Sequence, residues 1–173
     1  MEAFLEILKY VLPSIVVFVT AYLILQKFMD NEYRKQLMEL KKINLNKITP
    51  LRLQAYERMV LFLERIALNN LINRLHTNNE SALQFKNKLI AHINSEFDHN
   101  LTQQLYLSAK AWEMVRSAKE ETIKIINIAY NQLEENATGT DLGKKAFELV
   151  IQLEKDPARI AVEFLKKDIR QLF

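Results

Sequence analysis

The chain opens with an unbroken hydrophobic run and then settles into helical periodicity. Residues 10–26, "YVLPSIVVFVTAYLILQ", are 17 positions without a formal charge, about 26 Å of helix at 1.5 Å per residue. Lys9 and Lys27 bracket the run. With their extended stems and Phe28, the segment reaches roughly the 30 Å of a bilayer's hydrocarbon core. Tyr10 and Tyr22 stand toward its two ends, where amphipathic rings are comfortable. The anchoring positions expected are Tyr10, Val11, Ile15, Val16, Val17, Phe18, Val19, Tyr22, Leu23, Ile24, Leu25 and Lys27. A cleaved signal fits poorly. Glu2 and Glu6 offset Lys9, and "LILQKFMDNEYRKQ" contains no small-x-small cleavage site. The alternative, a buried core helix, is disfavoured by length. Pro13 falls near the helix start, where a missing amide costs least.

Beyond the run, "NEYRKQLMELKKINL" is rich in helix formers, and one helix is predicted from about Phe4 to Ile43. Leu37, Leu40 and Ile43 give it a thin apolar stripe. "NKITP" then predicts a break, with Thr49 as cap and Pro50 in the first turn of a second helix reaching Leu75. Met59–Leu63 is apolar all round, the mark of a bundle's central helix. "HTNNES" predicts a turn capped by Asn79, followed by a third helix with Leu83, Leu89, Ile93 and Phe97 inward. "HNLTQQLYLS" reads either as a kinked continuation or as a short bend. A fourth helix over Ser108–Glu135 carries Ala111, Val115, Ala118, Thr122, Ile125 and Ala129 at alternating steps, with Trp112 beside that seam. "NATGTD" is a loop in which Gly139 supplies turn freedom. A fifth helix follows over Asp141–Lys155, with Leu142, Ala146, Leu149, Val150 and Leu153 on one side. Asp156 and Pro157 open a sixth that runs to Phe173 with Ile160, Phe164, Leu165, Ile169 and Leu172. Apolar residues persisting to that end predict burial of Leu172 and Phe173, in the chain's own bundle rather than in a partner's groove, because the bundle needs its sixth helix to cover the apolar second one. The fold class predicted is all-α: a transmembrane anchor (1–28), a helical stalk (29–48) and an antiparallel bundle (49–173).

Composition agrees. With 173 residues there is room for one core, and two glycines with three prolines favour few long helices over many strands. The absence of cysteine excludes disulfides and thiolate metal sites and fits a reducing cytosol. The net charge is +3. Between residues 27 and 47, six basic side chains (Lys27, Arg34, Lys35, Lys41, Lys42, Lys47) face three acidic ones. Such a collar is drawn to anionic headgroups. It predicts a short N-terminus outside and residues 29–173 in the cytoplasm. In that orientation the glycosylation-like triplets "NES", "NLT" and "NAT" are coincidental. No dense basic patch interleaved with aromatics points to nucleic acid.

The anchor followed by "ITPLRLQAYERMVLFLERI", then "EFDHNLTQQLYLSAKAWEMVRSAKEE" and the ending "AVEFLKKDIRQLF" resembles a family of small uncharacterised proteins of Bacteroidota bacteria. The resemblance covers almost the whole chain. It implies a single-anchor helical protein and brings no activity, substrate or partner.

Two clusters are chemically suggestive. His92, Glu96 and His99 share one helical face at spacings of four and three. Glu96-x-x-His99 is half of the di-iron carboxylate pattern, whose second Glu-x-x-His is missing. Even with carboxylates from Glu57 and Glu64 the ligand count falls short. No metal or other cofactor is expected, and the ordinary reading is a hydrogen-bonded helix end beside Trp112. In "YERMVLFLER", Tyr56, Glu57, Arg58, Glu64 and Arg65 suggest a partner interface. The ordinary alternative is pairing with charges on neighbouring helices. Catalytic signatures are missing: no Cys nucleophile, no Gly-x-Ser-x-Gly and no phosphate-cradling glycine loop. The expected function is a non-enzymatic scaffold or accessory subunit of an envelope assembly in the bacterial inner membrane. Its expected partners are the lipid bilayer and other membrane or envelope proteins. The rivals are a homo-oligomer formed through stalk and anchor, and a helical-bundle metalloenzyme using His92, Glu96 and His99.

Overall fold

A computed structural model describes residues 2–153 and 156–171, all in helices and short connections. The elements are α1 (Glu2–Ile66), α2 (Leu68–Leu75), α3 (Ala82–Asn100), a 3-10 turn (Leu101–Leu105), α4 (Ala109–Asn131), α5 (Gly139–Gln152) and α6 (Pro157–Arg170). No strand occurs among the described residues. The chain divides into two units, Met1–Thr49 and Pro50–Phe173. Leu172 and Phe173, expected to dock at the end of α6, lie outside the described residues.

In the first unit, the apolar side chains described from Val11 to Phe28 are exposed. Its polar atoms are satisfied locally: Ser14 Oγ donates to the Val11 carbonyl and Thr20 Oγ1 to that of Val16, each at 2.7 Å. Hydroxyls tied back to their own helix are what an apolar surround tolerates. The predicted break at "NKITP" is absent, because α1 continues through Pro50. Proline in a helix removes one amide donor, and α1 runs on to Ile66 without it.

The second unit is a bundle in which α4 touches α3, α5 and α6. The predicted seam holds: Ala111, Val115, Ala118, Thr122, Ile125 and Ala129 are all buried, joined by Ile126. Thr122 is tolerable there because its hydroxyl donates to the Ala118 carbonyl at 2.8 Å. Central position therefore belongs to α4. The α1 segment at Met59–Leu63 is one-sided: Met59, Phe62 and Leu63 are buried, whereas Leu61 is 62 % exposed. Phe62 and Phe97 meet at 5.8 Å between ring centres, and Phe97 stacks on Trp112 at 5.3 Å.

The second predicted helix is interrupted. At Ala67 the backbone turns extended (φ −52°, ψ 127°) and α2 starts afresh. Two side chains recover freed carbonyls: Asn70 Nδ2 donates to Glu64 O at 2.9 Å, and Arg74 Nη2 to Arg65 O at 3.3 Å. Ser81, not Asn79, caps α3, forming a reciprocal capping box with Gln84. Asn79 instead takes the left-handed turn position, φ 66°. Leu83 faces solvent and Phe85 takes the inward place. Leu153, just past the end of α5, and Ile160 on α6 also prove exposed, while Ala158, Ala161 and Val162 fill the core side of α6.

Gly139 serves close approach rather than turn freedom. Its amide donates to Glu80 O at 2.9 Å, and Ala82 N donates to Ala137 O at 3.0 Å, tying the starts of α3 and α5 together. A Cβ at Gly139 would lie 2.9 Å from Glu80 Cγ. Glu80 accepts from the Thr77 amide (2.8 Å) and from Lys88 Nζ (3.2 Å). Burial acts to raise the Glu80 carboxyl, but those donors outweigh it and hold the group below its ordinary value. The Thr138 hydroxyl and amide likewise lower Asp141 in the α5 capping box.

Phe85→Ala should destabilise the second unit by about 3–5 kcal/mol, and Leu83→Ala by no more than about 0.5 kcal/mol, read as denaturation midpoints. The two lowered carboxyls carry a sign. Their contribution is complete above the unfolded-state values and is lost as pH falls through the lower folded-state ones. Thermal midpoints should therefore drop as pH falls below about 4, and an Asp141→Asn variant should show a shallower drop.

Candidate functional site

Two polar constellations stand out in the second unit. The first joins three helices. Tyr56 on α1, 2 % exposed, donates its hydroxyl proton to Asp168 on α6 in a short hydrogen bond. Ser108 Oγ donates to the same carboxylate oxygen at 2.7 Å and accepts the Ala111 amide at 3.0 Å as the α4 cap. The Ser108 amide reaches the Tyr56 oxygen at 3.3 Å, and Arg52 Nε donates to Tyr106 O at 3.2 Å close by in the chain. Burial, followed by the Asp168 contact, pushes the Tyr56 hydroxyl above its ordinary value. Ser108 gives its proton to a carboxylate that already accepts a second one, so the arrangement works as a staple between helices. Tyr56 thus belongs to the interior rather than to the surface on which the sequence placed it. The link itself carried no sequence signal, since Ser108, at the predicted start of the fourth helix, and Asp168 both lie far from Tyr56 in the chain.

The second constellation lines a groove of about 520 Å³ between α1 and α3. Arg58, Leu61 and Arg65 form its α1 wall, and His92, Glu96 and His99 stand on α3. Arg65 Nη1 donates to both Glu96 oxygens, at 2.9 and 3.0 Å. His92 Nε2 is 3.5 Å from Glu96 Oε1, too long for a good hydrogen bond, and this nitrogen is buried without a hydrogen-bond partner. His99 Nδ1 donates to the Ser95 carbonyl at 2.9 Å. The helix does persist to Asn100, so the three residues share a face as the spacing predicted. Even so, no group of three metal-ligating side chains converges among the described residues. The carboxylate a metal would need is committed to Arg65.

Of the expected partner residues, Glu57, Arg58, Glu64 and Arg65 are exposed on α1. Leu61, which the sequence reading took as core, stands exposed at their centre. The expected anchor residues described are exposed along their whole length; the side chain of Tyr10 lies outside the described set. By length and composition α1 is apolar enough, within Pro13–Ile66, to cross a membrane, and none of its apolar window is buried.

Residues 2–172 match the profile of DUF7935, a family of unknown function, and the chain is a member of it. No curated protein and no solved structure matches the chain.

Tyr56→Phe should lower stability by about 1–2 kcal/mol, the cost of leaving Asp168 one donor short. A raised tyrosine contributes stability below its unfolded-state value and loses it as pH rises through the higher folded-state one. Unfolding followed above pH ~10 should show a steeper alkaline loss in the parent chain than in Tyr56→Phe.

Proposed function

We propose that the protein is a single-pass scaffold or accessory subunit of a bacterial envelope assembly, anchored in the inner membrane by residues 10–28. The observation that carries this reading is the uncovered apolar surface of that segment: Val17, Phe18, Ile24 and Leu25 are each more than 60 % exposed. Contiguous apolar surface of that extent marks a membrane or protein contact. The internally bonded Ser14 and Thr20 hydroxyls suit lipid, and the bracketing lysines suit its two interfaces.

Orientation rests on the basic side chains of residues 27–47, which favour a cytoplasmic second unit. Its role there is binding rather than catalysis. The polar clusters are structural staples or surface ion pairs, and the exposed outer face of α1 is the docking surface. A cytoplasmic bundle held at the bilayer by one helix does what an adaptor requires: it confines a binding face to the membrane and raises its effective concentration there.

Carbonate-washed membranes should retain the full chain. Phe18→Arg, placing a charge mid-span at about 2.5–3.5 kcal/mol of insertion free energy, should move a large fraction to the soluble or degraded pool. A reporter active only in the periplasm, fused after Phe173, should stay silent. Strong activity there would reverse the topology.

A further inference from the structure

The outer face of α1 combines one exposed apolar side chain with four exposed charges. Leu61, 62 % exposed, is ringed at i−4, i−3, i+3 and i+4 by Glu57, Arg58, Glu64 and Arg65. These are its direct neighbours on a helix surface. Residues seven apart nearly align, so both glutamates fall to one side of Leu61 and both arginines to the other. The grooves agree: Arg58 and Arg65 border the α1–α3 groove, Glu57 borders the α1–α6 groove, and Leu61 lines both. The face is therefore an apolar centre between an acidic edge and a basic edge.

Such a face has one self-complementary arrangement. When two identical helices meet face to face in parallel about a two-fold axis along them, the left edge of each opposes the right edge of the other. Glu57 then faces Arg58 of the copy, Glu64 faces Arg65, and Leu61 meets Leu61. Antiparallel pairing would set acidic edge against acidic edge and basic against basic. We infer that the protein self-associates as a parallel two-fold pair through α1, centred on Leu61. Arg65 is not barred by its bond to Glu96, which uses Nη1 and leaves Nε and Nη2 for the copy. The inference rests on reading this face as an interface, and it names a second copy of the chain as the occupant.

The chain contains no cysteine, so single cysteines report without background. In full-length protein in mild detergent, Leu61→Cys and Gln54→Cys, both exposed near the centre of the face, should each form disulfide dimers on gentle oxidation. Leu83→Cys, exposed on α3, should not. Cross-linking at 61 but not at 54 would point to antiparallel crossing and overturn the parallel sense. Cross-linking at neither position, from protein that still survives carbonate washing, would overturn the pairing while leaving the anchor reading intact. Charge supplies the second test, in the Leu61→Cys background. Arg58→Glu and Glu57→Arg should each cut cross-linking by about tenfold. Mixing the two variants should restore it, because each glutamate then again meets an arginine. Loss without rescue on mixing, or no loss at all, would overturn the edge-to-edge pairing.

Discussion

The second unit depends on how closely other helices can approach α4. Its inward positions alternate small and branched residues, Ala111, Val115, Ala118, Thr122, Ile125 and Ala129, and a helix with small side chains on a seam lets neighbouring backbones come near. Larger groups arrive from outside the seam: Phe62 from α1, Phe85, Leu89 and Ile93 from α3, Leu142 from α5 and Leu165 from α6. Large against small is how a core reaches native density without strain. The polar staple of Tyr56, Ser108 and Asp168 sits where α4 begins, so the same helix fixes the core and anchors its hydrogen-bonded rim.

Much of this was legible in the chain because the signals were local. The α4 seam, the Asp156–Pro157 start of α6 and the helical character of every long segment follow from spacing and capping chemistry between neighbours. What escaped turned on competition between similar local options. Ala67 is an excellent helix former, yet the helix breaks there and the break is sustained by Asn70 and Arg74 reaching back to freed carbonyls. Asn79 and Ser81 both suit a cap. The choice fell to Ser81 because Gln84 completes the box. Leu83, six residues before Leu89, lies about 120° off the inward stripe, whereas Phe85, four residues before it, falls on that stripe with Leu89, Ile93 and Phe97. Pro50 read as a boundary, and the helix runs through it.

The candidate site divides the same way. The shared exposed face of Glu57, Arg58, Glu64 and Arg65 follows from their own stretch, since spacing along one helix is enough to put them on it. Tyr56 was grouped with them and belongs elsewhere, because burial of a tyrosine depends on what covers it, here Asp168 from the far end of the chain. His92, Glu96 and His99 share a face as spacing demanded. A shared face brings side chains near one another without aiming them at a common point, and Arg65 from another helix claims the carboxylate first.

The junction between Glu80 and Gly139 bears on the order of folding. It joins the beginnings of two helices separated in the chain by all of α3, the 3-10 turn and α4. Closing so long a loop costs entropy that local turns do not, and the return at this junction is two backbone hydrogen bonds. The entropic cost of such a contact is least once the intervening helices have collapsed onto one another, which is the order this junction favours. The α3 and α5 starts are therefore a latch set late. Being late and thinly bonded, they are also where the bundle would first come apart, with the "HTNNES" and "NATGTD" segments loosening together.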